Sequence, residues 1–300
     1  MNAALTLLRR EYWEHRGRYL WLPVVIFGLF MLASLIGGIA VGGGFTAIHP
    51  TGIADAGGVA TLGFGIGFVF YVIFAISCIG YFVSCLSEDR VDKSVLFWRS
   101  LPVSDSATVL AKIGAFALLG TAIIWIATIV THLLVLFALA SAASARGAAG
   151  FSVFTSWTAL VGTWALFAWS MLLTVLWWLP YVGWLLAISA LFRKRTLLWA
   201  IWPPIAVGFI EELASSIFTH HTTMHFFTFI TRHLVTAPVY PFGAPNISSA
   251  SFSGASHHSF LTSAGGITHF LALPSMWIGV GIGIGLIVFA IVARRYSATA

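Results

Sequence analysis

Charge is scarce in this chain. Nine acidic and fifteen basic residues make up 8% of its 300 positions, while 59% are hydrophobic and the mean hydropathy is +0.97. A soluble domain of this size could not cover so much apolar surface with so few polar side chains, so the class is a polytopic membrane protein. Cysteine is nearly absent too. Cys78 and Cys85 lie seven positions apart on one predicted helix, and the roughly 10 Å rise between them is too far for a disulfide. Lysine occurs only at Lys93, Lys112 and Lys194, preceded by Asp92, Ala111 and Arg193. Without a Gly-Lys pair there is no P-loop, whose glycines let backbone amides cradle phosphate. HExxH, Gly-x-Ser-x-Gly and Cys-x-x-Cys are missing as well, which removes the common zinc-peptidase, serine-hydrolase and dithiol motifs. The net charge of +6 does not indicate nucleic acid, because the basic residues flank apolar runs, where they act as topology signals and anionic-lipid contacts.

What is abundant is apolar sequence in runs of about 20 residues or more, the length needed to cross a bilayer. Six spans are expected: Leu20–Val41, Leu62–Leu86, Val109–Ala140, one within Trp157–Phe192, Leu197–Phe218 and Leu273–Ala293. The fourth run is too long for one perpendicular span and is expected to tilt, to kink near Pro180 or to extend beyond the bilayer. With six spans both termini share a side. That side carries Arg9, Arg10, Arg16, Arg18, Arg90, Lys93, Arg99, Lys112, Arg193, Lys194, Arg195, Arg294 and Arg295, against Arg146 and Arg232 opposite. The positive-inside rule then puts both termini in the cytoplasm. Small-xxx-small pairs at Gly63/Gly67, Gly279/Gly283 and Gly281/Gly285 allow close helix approach, within one chain or between two. Trp21, Trp157, Trp177, Trp178, Trp199, Trp202 and Trp277 mostly fall near span ends, as interfacial anchors do.

The spans divide a single domain, residues 1–300, into three further parts. Residues 1–19 are too long and too mixed in charge for a signal-peptide n-region. Ala3–Tyr19 reads instead as an amphipathic interface helix, with Leu5, Leu8 and Tyr12 spaced at i, i+3 and i+7 and Arg9, Arg10, Glu11, Arg16 and Arg18 around them. Residues 87–108 form a charged cytoplasmic island. Residues 219–272 form a long external loop with seven of the ten histidines, where short re-entrant helices are plausible if protein buries their ends.

The island is the densest charge in the chain. Glu88, Asp89, Arg90, Asp92 and Lys93 supply polar contacts, and Val95, Leu96, Phe97, Trp98 and Leu101 apolar ones. Pro102 disfavours helix at Leu101 and ends the element. Ser104 is then an N-cap, with Asp105 in the first turn of the next helix. The expected result is a short helix over Glu88–Leu101, a stop, and a fresh helix leading straight into a span. From spacing alone, a plain inside loop that merely satisfies topology is the better reading of it.

The run Glu88-Asp89-Arg90, Ser94-Val95-Leu96, Leu101-Pro102-Val103-Ser104 and Lys112 resembles the cytoplasmic loop of ABC-2 type transporter permeases. The start, Leu7-Leu8-Arg9-Arg10-Glu11-Tyr12-Trp13-Glu14-His15-Arg16-Gly17, is similar to the interface helix of one bacterial branch of that family, and six spans with both termini inside also fit. Asp92-Lys93-Ser94 departs from the Gly-Thr pair of many members. The resemblance implies an all-α permease of a bacterial inner-membrane ABC exporter. It implies a cytoplasmic coupling helix between spans 2 and 3, pairing with a second permease chain, and two copies of a separate ABC ATPase that hold the ATP and Mg. On this reading the chain is not an enzyme and binds no cofactor.

Two other chemistries have some footing in the sequence. Glu211 and Glu212 lie about two-thirds through the fifth span, beyond Pro203-Pro204, and ionisable residues at such depth mark functional sites by default. Followed by Phe229-x-x-x-His233, they faintly resemble the motifs of CAAX-type intramembrane proteases, although Ser216 stands where that family has Arg. His221 and His225 share a helix face at i, i+4, but the loop lacks Cys, Asp and Glu, so no metal site is expected. His132, alone in the third span, is expected to be hydrogen-bonded within the bundle. A non-transporting membrane scaffold or sensor is the third class.

Overall fold

The computed structural model describes residues 3–17, 21, 24–29, 56–91, 104–144, 154, 157–217, 230 and 271–297. Among these residues the fold is helical, with no strand. The helices are α1 (Ala3–Arg16), α2 (Ala56–Val91), α3 (Asp105–Ala115), α4 (Thr121–Ser144), α5 (Trp157–Trp177), α6 (Leu179–Leu191), α7 (Thr196–Ile217) and α8 (Pro274–Ser297). A π-helical turn, Phe116–Gly120, joins α3 to α4. Among the described residues, five stretches are long and apolar enough to span a membrane: Gly65–Asp89, Asp105–Ser141, Leu160–Trp177, Thr196–Ala214 and Pro274–Tyr296. The expected first span lies mostly outside the described residues. Its 24–29 stretch is helical, and Ile26 and Phe27 pack against the core.

Local chemistry explains where these helices start and stop. Ser104 caps α3 as expected, accepting from the Ala107 amide at 3.1 Å, with Asp105 in the first turn. At the other foot the island departs from expectation. Glu88, Asp89, Arg90 and Val91 continue α2 without a break and do not begin a separate helix. No glycine or proline interrupts Leu86–Val91, and Ser189 Oγ from α6 accepts from the amides of Leu86 and Ser87, each at 3.0 Å. The long fourth run is divided at Trp178, between α5 and α6. There Pro180, with no N–H to donate, sits in the first turn of α6. Pro203 and Pro204 lie inside α7. Pro204 cannot donate to the carbonyl of Ala200, and that carbonyl accepts instead from Trp184 Nε1 on α6 at 3.0 Å.

The core is aromatic. Phe74 packs on Phe116 at 4.8 Å and on Trp178 at 6.4 Å, and Tyr81 stacks on Phe116 at 5.8 Å. Several hydroxyls in the apolar helices are satisfied locally. Thr128, Thr131 and Thr174 each donate to the carbonyl four residues back, a necessity where water is absent. His132 is fully buried, and its Nδ1 accepts from Trp164 Nε1 at 3.1 Å. A Cβ on Gly63 would lie 2.8 Å from the imidazole, so this glycine makes room for it.

Helices α6 and α8 form the most extensive pair, and their backbones touch. A Cβ on Gly183 would come within 2.8 Å of the Gly283 carbonyl oxygen, and one on Gly283 within 2.7 Å of the Leu179 backbone. Gly281 and Gly285 face open space, so Gly283, and neither of these two, gives the close backbone contact within the chain. Gly283→Ala is therefore expected to destabilise the protein by about 1–3 kcal/mol, the cost of overpacking against a backbone that cannot yield. Gly281→Ala should stay within about 0.5 kcal/mol of the unchanged chain. Thermal unfolding of the two variants in one detergent compares them directly.

Candidate functional site

One end of the bundle holds a buried cluster of charges drawn from four helices. Lys112, in the last turn of α3, is fully buried. Its Nζ lies 3.1 Å from Glu11 Oε1 of α1 and 3.4 Å from Asp89 Oδ1 at the end of α2. Glu11 is 2% exposed, and its Oε2 also accepts from the Tyr81 hydroxyl at 2.9 Å. Arg294, near the end of α8 and also buried, reaches two acids. Its Nη2 is 3.6 Å from Asp89 Oδ2 and its Nε 3.5 Å from Asp105 Oδ1. The more exposed Arg295 adds a contact to Asp105 at 3.9 Å. In these contacts three acids face three bases.

The arrangement follows from where each element stops. Asp89 ends a helix that no breaker interrupts, and Asp105 follows the Ser104 cap, so both feet of the 92–103 segment carry a carboxylate. Lys112 lies seven residues beyond Asp105, two helical turns on, which turns it inward on the same side. Helix α1 packs along α3 and brings Glu11 to Lys112. This docking exceeds what an interfacial amphipathic helix needs, because Glu11 points into protein. The outer side of α1 keeps an interfacial character, with Trp13 half exposed, Arg16 5.7 Å above its ring, and Arg10 paired to Glu14 at 2.6 Å.

The expected residues are distributed unevenly around this cluster. Glu11 and Asp89 are inside it. Glu88 and Tyr12 are half-buried, Arg9 is exposed, and Arg90 occupies the last turn of α2. Val95, Leu96, Phe97, Trp98, Leu101 and Pro102 lie outside the described residues. Glu211 and Glu212 are not brought to the cluster. They sit about 22 Å along α7 from Thr196, on a helix whose Phe209, Ile210 and Leu213 are exposed. Phe229 and His233 lie outside the described residues. Among the described residues, no three His, Cys, Asp or Glu side chains are grouped to hold a metal.

Sequence reasoning read Lys112 and Arg294 only as topology signals and passed over Tyr81 altogether. The available signal was Lys112 itself, a lysine inside an apolar helix, which must meet an acid. Only nine acids exist in the chain to meet it.

Compared with protein-family models, curated proteins and solved structures, the chain finds no match. Its reading therefore rests on its own residues.

Removing one partner of a buried ion pair typically costs 3–5 kcal/mol, because it strands the other charge, whereas removing both is far cheaper. Glu11→Gln is expected to destabilise the solubilised protein by about 3 kcal/mol, and Glu11→Gln with Lys112→Met to recover more than half of the loss. Independent, additive effects in this double-mutant cycle would show that the two side chains do not pair.

Proposed function

We propose that the chain is the membrane-spanning subunit of an ATP-driven exporter of the ABC-2 permease type. In this reading it has six spans, with the segment before Val24 entering the first of them. The N-terminal helix lies at the inner surface of a bacterial plasma membrane, both termini are cytoplasmic, and 92–103 carries the coupling helix. Two such chains pair around a path, and two separate ATPase subunits, holding ATP and Mg, dock below.

One observation carries the proposal beyond the sequence resemblance. Both feet of the 92–103 segment, at Asp89 and Asp105, are tied into a cluster joining α1, α2, α3 and α8. A plain inside loop needs no such anchoring. An element that receives force from a partner does, since otherwise the push would be absorbed at its ends. The basic turn Arg193-Lys194-Arg195 is exposed at this same end, in keeping with a cytoplasmic face beside anionic lipid. Substrate movement would follow from alternating access or lateral extrusion when the ATPases close.

Because Asp89 is used inside the bundle, charge reversal there would damage folding as well as docking. Glu88→Lys with Trp98→Ala avoids this. A tagged chain purified from its native membrane is expected to bring down an ABC ATPase. The double variant should insert normally and retain about a tenth of that ATPase, equivalent to about 1.4 kcal/mol. Full retention would remove the 92–103 segment as the docking element. No ATPase with the unchanged chain would defeat the reading as a whole.

A further inference from the structure

The turn between α6 and α7 gathers three positive charges at consecutive positions, Arg193, Lys194 and Arg195, all exposed. Its backbone is tightly defined. The Phe192 amide closes α6 on the Ile188 carbonyl at 2.9 Å. The Arg195 carbonyl opens α7, accepting from the amides of Leu198 and Trp199 at 3.0 and 3.2 Å. Arg195 holds φ at 55°, a left-handed conformation that glycine adopts without steric cost and arginine does not. The turn is also braced from both helices. Phe192 and Trp199 stack across it at 4.3 Å with planes 7° apart, and Trp184 of α6 donates to the Ala200 carbonyl of α7.

Among the described residues, no acid pairs with any of these three side chains. Elsewhere at this end, Lys112, Arg294 and Arg295 meet the acids of the cluster, and Arg10 meets Glu14. The acids of α7 itself, Glu211 and Glu212, are about 22 Å further along the helix. The depth of the turn follows from the α6–α8 pair, which runs parallel, since Gly283 meets Leu179 while Gly183 meets Leu286. Ten residues beyond Gly183 comes Arg193, and eleven beyond Gly283 comes Arg294. The turn therefore lies level with the charged end of the bundle, where the apolar spans stop. Directly beyond it, Leu198, Ile201, Trp202 and Ile205 form one outward stripe of α7, at i, i+3, i+4 and i+7, each at least 43% exposed.

Unmatched positive charge at headgroup depth, beside an aromatic pair and above an apolar stripe, is complementary to a molecule with an anionic head and an apolar tail. We infer that Arg193, Lys194 and Arg195 form a binding site for one anionic phospholipid, which they hold by its phosphate while an acyl chain lies along Leu198, Ile201, Trp202 and Ile205. A zwitterionic headgroup would bring its own cation to the basic turn, and a free phosphate would leave the stripe unused. Because the turn is fixed before the lipid arrives, little ordering is lost on binding, which separates this site from the diffuse attraction of any basic face. The inference needs only that the chain spans a membrane and does not rest on the permease reading.

The test uses the full-length chain, purified in detergent, stripped of lipid and titrated with phosphatidylglycerol or phosphatidylcholine under native mass spectrometry. One phosphatidylglycerol is expected to bind ahead of further lipids, and more than about tenfold tighter than phosphatidylcholine. Arg193→Gln with Lys194→Gln alters only exposed side chains, so folding is kept. It should weaken phosphatidylglycerol roughly 30-fold, about fivefold for each basic residue, and leave phosphatidylcholine unchanged. Arg195→Gly, which suits the left-handed backbone, should weaken phosphatidylglycerol about fivefold. Arg9→Gln with Arg16→Gln removes the same charge from exposed positions on α1 and should leave the first phosphatidylglycerol in place. Equal affinity for the two lipids overturns the site, as does an equal loss in both double variants, which would mean diffuse attraction alone. Inorganic phosphate is the third ligand. If it raises the melting temperature of the unchanged chain as far as phosphatidylglycerol does, and fails to do so in the 193/194 variant, the site belongs to a free anion and the lipid assignment falls.

Discussion

The ammonium of Lys112 governs this end of the molecule. It is fully buried, and a desolvated charge persists only where opposite charge and hydrogen bonds surround it. Meeting that demand recruits Glu11 from α1 and Asp89 from α2. Asp89 in turn brings Arg294 of α8, and Arg294 brings Asp105 back at the head of α3. Each acid–base contact is between different helices, so the cluster closes on itself and the four elements cannot be rearranged singly. Tyr81 adds a hydroxyl to Glu11 and ties the charged cluster to the aromatic core, where it stacks on Phe116.

The same scarcity of polar partners shapes the rest of the bundle. In a medium without water each liberated carbonyl or hydroxyl needs a protein partner. Pro204 liberates the Ala200 carbonyl, and Trp184 reaches across from α6 to take it. Ser189 binds two amides of α2. These contacts set the register between helices whose apolar surfaces alone would let them slide, because lipid competes with Leu or Ile for any such surface.

Much of this was legible in the sequence, and the reasons differ by feature. The helices announce themselves through uninterrupted apolar runs, and the Ser104 cap, the interruption at Pro180 and the need to satisfy carbonyls at Pro203-Pro204 follow from local backbone chemistry. The separation of Arg193–Arg195, Lys112 and Arg294 to one end follows from counting spans. The cluster itself was not legible. Its members stand at positions 11, 89, 105, 112 and 294, and nothing local says which acid meets Lys112. Glu11 reads as one more charge on a surface helix until α1 is seen against α3. The acidic start of the island likewise reads as the beginning of a loop element. It ends a span instead, because Ser189, a hundred residues away, holds the helix there.

The pairing of Glu11 with Lys112 also imposes an order in time. The two residues are 101 positions apart. At a synthesis rate of about 5–20 residues per second, roughly 5–20 seconds pass between their emergence. Through that interval α1 has its inward carboxylate but not its ammonium. The preceding helices must tolerate the bare acid until α3 arrives. When Lys112 emerges, Asp89 is already made, but the shorter contact, to Glu11, forms only if α1 has stayed nearby. A chain that loses its first helix would keep only one of the two carboxylates that face the buried ammonium. The N-terminal helix thus completes a charge pairing begun on α2.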